Sequence, residues 1–109
     1  MDIEYDEIQK CISKSREMVN YILCDREKYA SQLSEYIKEI ATLITKIIVS
    51  YSKENMQAYK DDVDFWNELF RRLLLTINGM DVIAISDVIL YEFIESLSQY
   101  CNLVNLIKE

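Results

Sequence analysis

A chain of 109 residues with no proline and only one glycine has almost no means of breaking a helix. This constrains the fold more than any other feature of the sequence. Hairpins, sandwiches and barrels turn on those two residues, so β architectures start at a disadvantage. Half of the residues are apolar and 28% are charged, the balance of a folded domain rather than a disordered chain. The length sets a single helical domain, residues 1–109, able to bury a core without a metal or disulfide clamp.

Apolar residues recur at helical spacing in four stretches. The first carries Ile8, Ile12, Val19 and Leu23, with Tyr5 and Ile22 on the same side. The second carries Tyr29, Leu33, Tyr36, Ile37, Ile40, Leu43, Ile44 and Ile47. The third carries Val63, Trp66, Phe70, Leu73, Leu74 and Ile77. The fourth carries Val82, Ile83, Ile89, Leu90, Phe93, Ile94, Leu97, Cys101 and Val104. The clearest boundary is Asn78-Gly79-Met80-Asp81, where Gly79 suits the left-handed position that ends a helix and Asp81 the cap that starts the next. The third helix starts somewhere between Tyr51 and Asp62, with Ser52, Asn55 and Asp61-Asp62 as start signals. The least marked boundary is Cys24-Asp25-Arg26, where the apolar phase runs on almost without a slip.

Two all-α architectures compete. If the chain turns near Asp25, the result is an antiparallel up-down four-helix bundle of helices about 19 to 27 residues long. If it does not, three helices form, the first very long, and a second copy must cover its overhang. Asp25 as a cap, the polar run Asp25-Arg26-Glu27-Lys28 and the matching helix lengths favour the bundle.

Composition narrows function by exclusion. Without histidine the chain lacks the commonest general base and metal ligand. Gly79 alone builds no phosphate-cradling loop. A net charge of −7 argues against nucleic acid and anionic membranes, and the single adjacent basic pair, Arg71-Arg72, has Asp62, Asp64 and Glu68 close by. Cys11, Cys24 and Cys101 show no Cys-x-x-Cys spacing, and an odd cysteine count suits a reducing cytoplasm. No apolar run approaches the roughly 20 residues of a membrane span. No catalytic residue, cofactor or metal site is expected.

Four groups of residues invite a role. Glu35/Glu39 and Glu92/Glu95 are carboxylate pairs at helical spacing, read as solvated faces. Tyr29 and Tyr36 fall on the core side of the second helix, with hydroxyls expected at the bundle edge. Asp87 and Tyr91, one turn apart at the flank of the fourth stripe, are expected to be structural, Asp87 accepting a hydrogen bond from a neighbour. Phe65, Glu68, Arg72 and Leu75 form a second stripe on the third helix, almost opposite its core face. A bundle helix needs one buried face, so this stripe is the candidate partner contact.

The segment Phe65 to Tyr100 resembles the C-terminal helical hairpin of a family of small uncharacterised bacterial four-helix proteins. The resemblance rests on Asp81, five intervening residues, Asp87 and then Leu90-Tyr91-Glu92; here Phe93-Ile94 follows without the family's proline. It implies an all-helical bundle and no particular chemistry. In size, acidity and helix pattern the chain is also similar to flagellar export chaperones. The expectation is a non-enzymatic cytoplasmic bundle that binds another protein, as an adaptor or in an export-chaperone-like role. The alternatives are a structural homodimer with no further ligand and an enzyme using carboxylates and a divalent metal.

Overall fold

The computed structural model describes the backbone of residues 5–53 and 59–108 and the side chains of residues 5–50 and 60–103. Of these, only Asp25 and residues 79–81 are not helical. Helices α1 (Tyr5–Cys24) and α2 (Arg26–Lys53) are joined by Asp25 alone. Its carboxylate accepts from the Lys28 N–H at 3.2 Å, capping α2. Lys46 meets Glu7 at 2.9 Å, and the Tyr36 hydroxyl donates to Ser15 Oγ at 2.7 Å, so α2 descends as α1 climbs. The chain turns at Asp25, and the alternative with one long N-terminal helix is not what forms.

Helix α3 (Tyr59–Asn78) follows. Its start lies within the expected window, while Asn55, one of the start signals, lies outside the described residues. The fourth helix is a continuous rod in three pieces: α4 (Val82–Asp87), a π-helical stretch (Val88–Phe93) and α5 (Ile94–Lys108). Helix α1 lies between α2 and the fourth helix, and α3 lies between the same two on the other side. The result is an all-α four-helix bundle. The 28 residues of α2 rise about 42 Å at 1.5 Å per residue, matching the 42 Å long axis of the molecule.

The core face of α2 is as expected, all eight residues being buried or half-buried. Elsewhere the inward faces are rotated. In α1, Cys11, Ser15 and Met18 are buried, while Leu23 and Tyr5 are exposed. In α3, Leu69 joins Trp66, Leu73 and Ile77 inside, and Val63, Phe70 and Leu74 are only half-buried. In the fourth helix Ile83 is 72% exposed, and Ile85, Ser86 and Tyr100 are buried instead. The side chain of Val104 lies outside the described residues.

The π-helical stretch explains the fourth helix. Its buried row is Ile85, Ile89, Phe93, Leu97 and Cys101, a step of four throughout. Each such step overshoots a 3.6-residue turn by about 40°, so an unbroken α-helix would wind this row about 160° around its axis. The Ile94 N–H instead bonds to Ile89 O, five residues back, taking up one extra residue and returning about 100° of that drift. Extending the phase of Ile89–Cys101 backwards through an unbroken helix therefore puts Ile83 inside and Ile85 outside, the reverse of what is found.

The joint between α3 and α4 also differs from expectation. Gly79 does not have a positive φ; the left-handed residue is Met80, at φ 60°. The Gly79 N–H still bonds to Leu75 O at 3.0 Å and Thr76 O at 3.1 Å, so the helical bonding runs one residue further than a glycine stop implies. Met80 makes the turn, its N–H reaching Ile77 O at 3.2 Å. Asp81, in extended conformation, then accepts from the Ala84 N–H at 3.1 Å.

Candidate functional site

Two tyrosine–serine relays lie inside the bundle. Tyr36 is 1% exposed, and its hydroxyl, far from reaching the bundle edge, donates to Ser15 Oγ, which donates onward to Cys11 O at 2.8 Å. Burial pushes the Tyr36 phenol above its ordinary value and the Cys11 thiol up to about 12, so both stay protonated and neutral. Ser50 Oγ donates to Ile47 O and shares a 2.7 Å hydrogen bond with the Tyr100 hydroxyl, joining α2 to α5. Two other buried hydroxyls, Tyr29 and Ser86, have no partner among the described residues. Cys24 is exposed and Cys101 is buried. Burial outweighs the Ser15 hydroxyl, which by itself favours a thiolate at Cys11, and the nearby Glu39 carboxylate opposes one.

The stripe on α3 is present, with its geometry revised. Phe65 is 52% and Leu75 55% exposed, and Glu68 and Arg72 are exposed between them. With Leu69 drawn inward, the buried face turns towards the stripe, which flanks the core on the side of the fourth helix rather than standing opposite it. Arg72 forms an ion pair with Glu92 across that seam. Glu68 pairs instead with Arg71, its Oε2 accepting from Nε at 2.9 Å. The Arg71 hydrogen bond holds the Glu68 carboxyl below its usual range, and Glu68 raises the guanidinium in return. Of the carboxylate pairs, Glu35, Glu39 and Glu95 face water and Glu92 serves Arg72. Among the described residues, no three His, Cys, Asp or Glu side chains converge as a metal site requires.

Next to Phe65 lies a groove that the sequence did not reveal. Asp62, Phe65 and Trp66 of α3 face Ser96, Gln99, Tyr100 and Leu103 of α5 across about 400 Å³. Its floor is aromatic. Trp66 meets Phe65 edge-on at 5.6 Å between ring centres and Tyr100 edge-on at 6.0 Å. Trp66 and Tyr100 are buried, while Phe65 and Leu103 stand exposed at the rims. Tyr100 shares the face of Phe93 and Leu97, seven and three residues earlier, and regular helical geometry alone turns it inward. Its spacing from Phe93 and Leu97 is a signal that the sequence does contain.

Asp87 and Tyr91 do not have the structural role expected of them. Asp87 is exposed and accepts no side-chain hydrogen bond among the described residues, and Tyr91 is 72% exposed. The extra residue in the π-helical stretch moves Asp87 from the flank of the buried row to its far side. Together with Ile83, the pair forms an outward strip on the fourth helix.

No helix of the described residues is long and apolar enough to cross a membrane. No family model, curated protein or solved structure matches the chain, so the family resemblance of Phe65–Tyr100 remains a proposal about ancestry.

Proposed function

We propose that this chain is a non-enzymatic, cytoplasmic protein-binding bundle, an adaptor or export-chaperone-like protein, and that it engages its partner through the side formed by α3 and the fourth helix. One observation carries this reading: Phe65 and Leu75 stay half exposed on a helix whose core face is fully supplied by Trp66, Leu69, Leu73 and Ile77. Stability does not call for two large apolar side chains there, and exposed aromatics beside arginine are what partner surfaces favour. Among the described residues, the six large apolar residues exposed on this half, Phe65, Leu75, Met80, Ile83, Tyr91 and Leu103, exceed the three on the other, Tyr5, Leu23 and Val49. The excess supports a contact on the C-terminal hairpin.

The test is affinity capture from the native cell extract with the wild-type chain and with Phe65→Ser/Leu75→Ser, followed by binding of the purified partner. At least one protein is expected to be retained by the wild type and lost by the variant. Equal recovery by both refutes the surface. The structural homodimer is the competing reading. Sedimentation showing a dimer that the same variant dissolves would favour it.

A further inference from the structure

The proposed binding side has a chemistry of its own. Phe65 has Asp61 one turn before it and Asp62 and Asp64 close by, and Asp62 is itself a wall of the groove. None of the three forms an ion pair among the described residues, whereas Glu68, the acid of the α3 stripe further on, is answered by Arg71, and Glu92 across the seam by Arg72. On the opposite wall, Gln99 donates to Glu95 at 3.3 Å, which puts another carboxylate beside the far lip. Asp61 and Asp62 sit in the first turn of α3, where an anion suits the helix N-terminus. That accounts for two of the acids. It does not account for a half-exposed phenylalanine standing among them over an open aromatic groove.

Resting on the protein-binding reading above, we propose that the groove between α3 and α5 takes a basic amphipathic helix of a partner protein. One bulky apolar side chain seats among Phe65, Trp66, Tyr100 and Leu103, and the lysines or arginines flanking it face Asp61, Asp62 and Asp64. The groove lies between two helices, so a third laid along it meets apolar surface with one stripe and carboxylates with its flanks, the helix-in-groove mode of recognition. The charge decides the occupant. An acidic helix, or a second copy of this chain with its net charge of −7, would bring carboxylates against carboxylates.

The probe is a labelled synthetic peptide of about five helical turns, leucines on one face and lysines on the other, followed by fluorescence anisotropy with the full chain. A peptide of the same composition in scrambled order and one with glutamate for lysine are the controls. Trp66, the sole tryptophan, gives an independent signal from the groove floor. Expected is saturable binding of the cationic amphipathic peptide with a shift in Trp66 emission. Affinity should fall at least about tenfold, roughly 1.4 kcal/mol, both in Phe65→Ser and in Asp61→Asn/Asp62→Asn/Asp64→Asn. Leu103→Ser, on the other wall, stands in should Phe65→Ser reduce helicity. No binding, equal binding of the scrambled peptide, or binding indifferent to these substitutions overturns the proposal. So does self-association that Phe65→Ser abolishes, since a second copy would then be the occupant. The two readings fail separately. A partner captured through Phe65 and Leu75 while the cationic peptide does not bind rejects the basic helix and keeps the binding surface; loss of both rejects both.

Discussion

The α1–α2 hairpin and the hairpin of α3 with the fourth helix are built by the same rules and end up differently. The first turns on one capped residue, Asp25, and buries a hydroxyl relay from Tyr36 through Ser15 to Cys11. Its helices are uninterrupted. The second turns through a left-handed methionine and carries a π-helical stretch, while each hairpin leaves one buried hydroxyl, Tyr29 in the first and Ser86 in the second, without a partner among the described residues. Among the described residues the second also carries most of the exposed large apolar side chains. One half thus spends its sequence on a unique, closed fit, while the other tolerates irregularity and shows its apolar residues to solvent. Binding surfaces are drawn from the less perfected parts of a fold.

The contrast breaks most sharply under deletion. Removing Glu39, exposed in mid-α2, rotates Ile40, Leu43, Ile44 and Ile47 off the core by about 100° and is expected to cost upward of 5 kcal/mol. Removing Tyr91 converts the π-helical stretch to α while keeping the row from Ile85 to Cys101 in phase, and should cost about 1 kcal/mol or less. Thermal unfolding followed by circular dichroism compares them. Equal damage would show that the extra residue is not what sets the phase.

Alkali should act on the first hairpin. The Cys11 thiol is raised from 9.0 to about 12 and the Tyr36 phenol is raised further by burial, so the unfolded chain releases these protons before the folded one does. Stability is therefore fully present below pH 9 and lost as pH rises towards 12, on the order of 2 kcal/mol by about pH 11 from Cys11 alone. Urea unfolding at pH 8 and at pH 10.5 reads the difference, and Cys11→Ala should flatten it. Ser15→Ala strands the Tyr36 hydroxyl and should cost about 2 kcal/mol. Adding Tyr36→Phe should return part of that loss, a coupling that a double-mutant cycle measures.

The smallest effects sharpen the second hairpin. Met80→Gly relieves a left-handed residue and should stabilise by about 1 kcal/mol. Gly79→Ala should stabilise by about 0.5 kcal/mol, because the position has no positive φ and an added Cβ comes no closer than 3.4 Å to Thr76 O. Destabilisation by Gly79→Ala would mean that the glycine makes the turn after all.

Helical class, helix number and most inward faces were legible because periodicity records burial one turn at a time. The cap at Asp81 was legible for a similar reason, its signal being local. What periodicity cannot record is a residue inserted without a break in helicity. The π-helical stretch contains neither proline nor glycine, so its sequence, Val88 to Phe93, looks like any helix. From that one gap follow the misplacement of Ile83, the omission of Ile85 and the role expected of Asp87; Tyr100, three residues after Leu97, was legible from spacing, whereas the groove beside Phe65 depends on how α3 and α5 meet, which spacing within one helix does not report. The stripe itself was legible, since two apolar residues opposite a stated core face need no coordinates to notice. Its neighbour across the seam, Glu92, lies twenty positions from Arg72, and sequence spacing does not report pairs between helices. The left-handed turn was assigned to Gly79 because glycine bears that conformation most cheaply; here the helix kept its glycine and passed the strain to the next residue.

The single-residue joint at Asp25 has a further consequence, for the order of events as the chain folds. Closing so short a link loses little entropy, and the helices on either side meet through contacts close along the chain. The N-terminal hairpin is thereby set to assemble early, with the later helices docking onto a template already in place. Stopped-flow refolding of Ser15→Ala should accordingly slow folding more than it speeds unfolding, while Leu97→Ala should do the reverse.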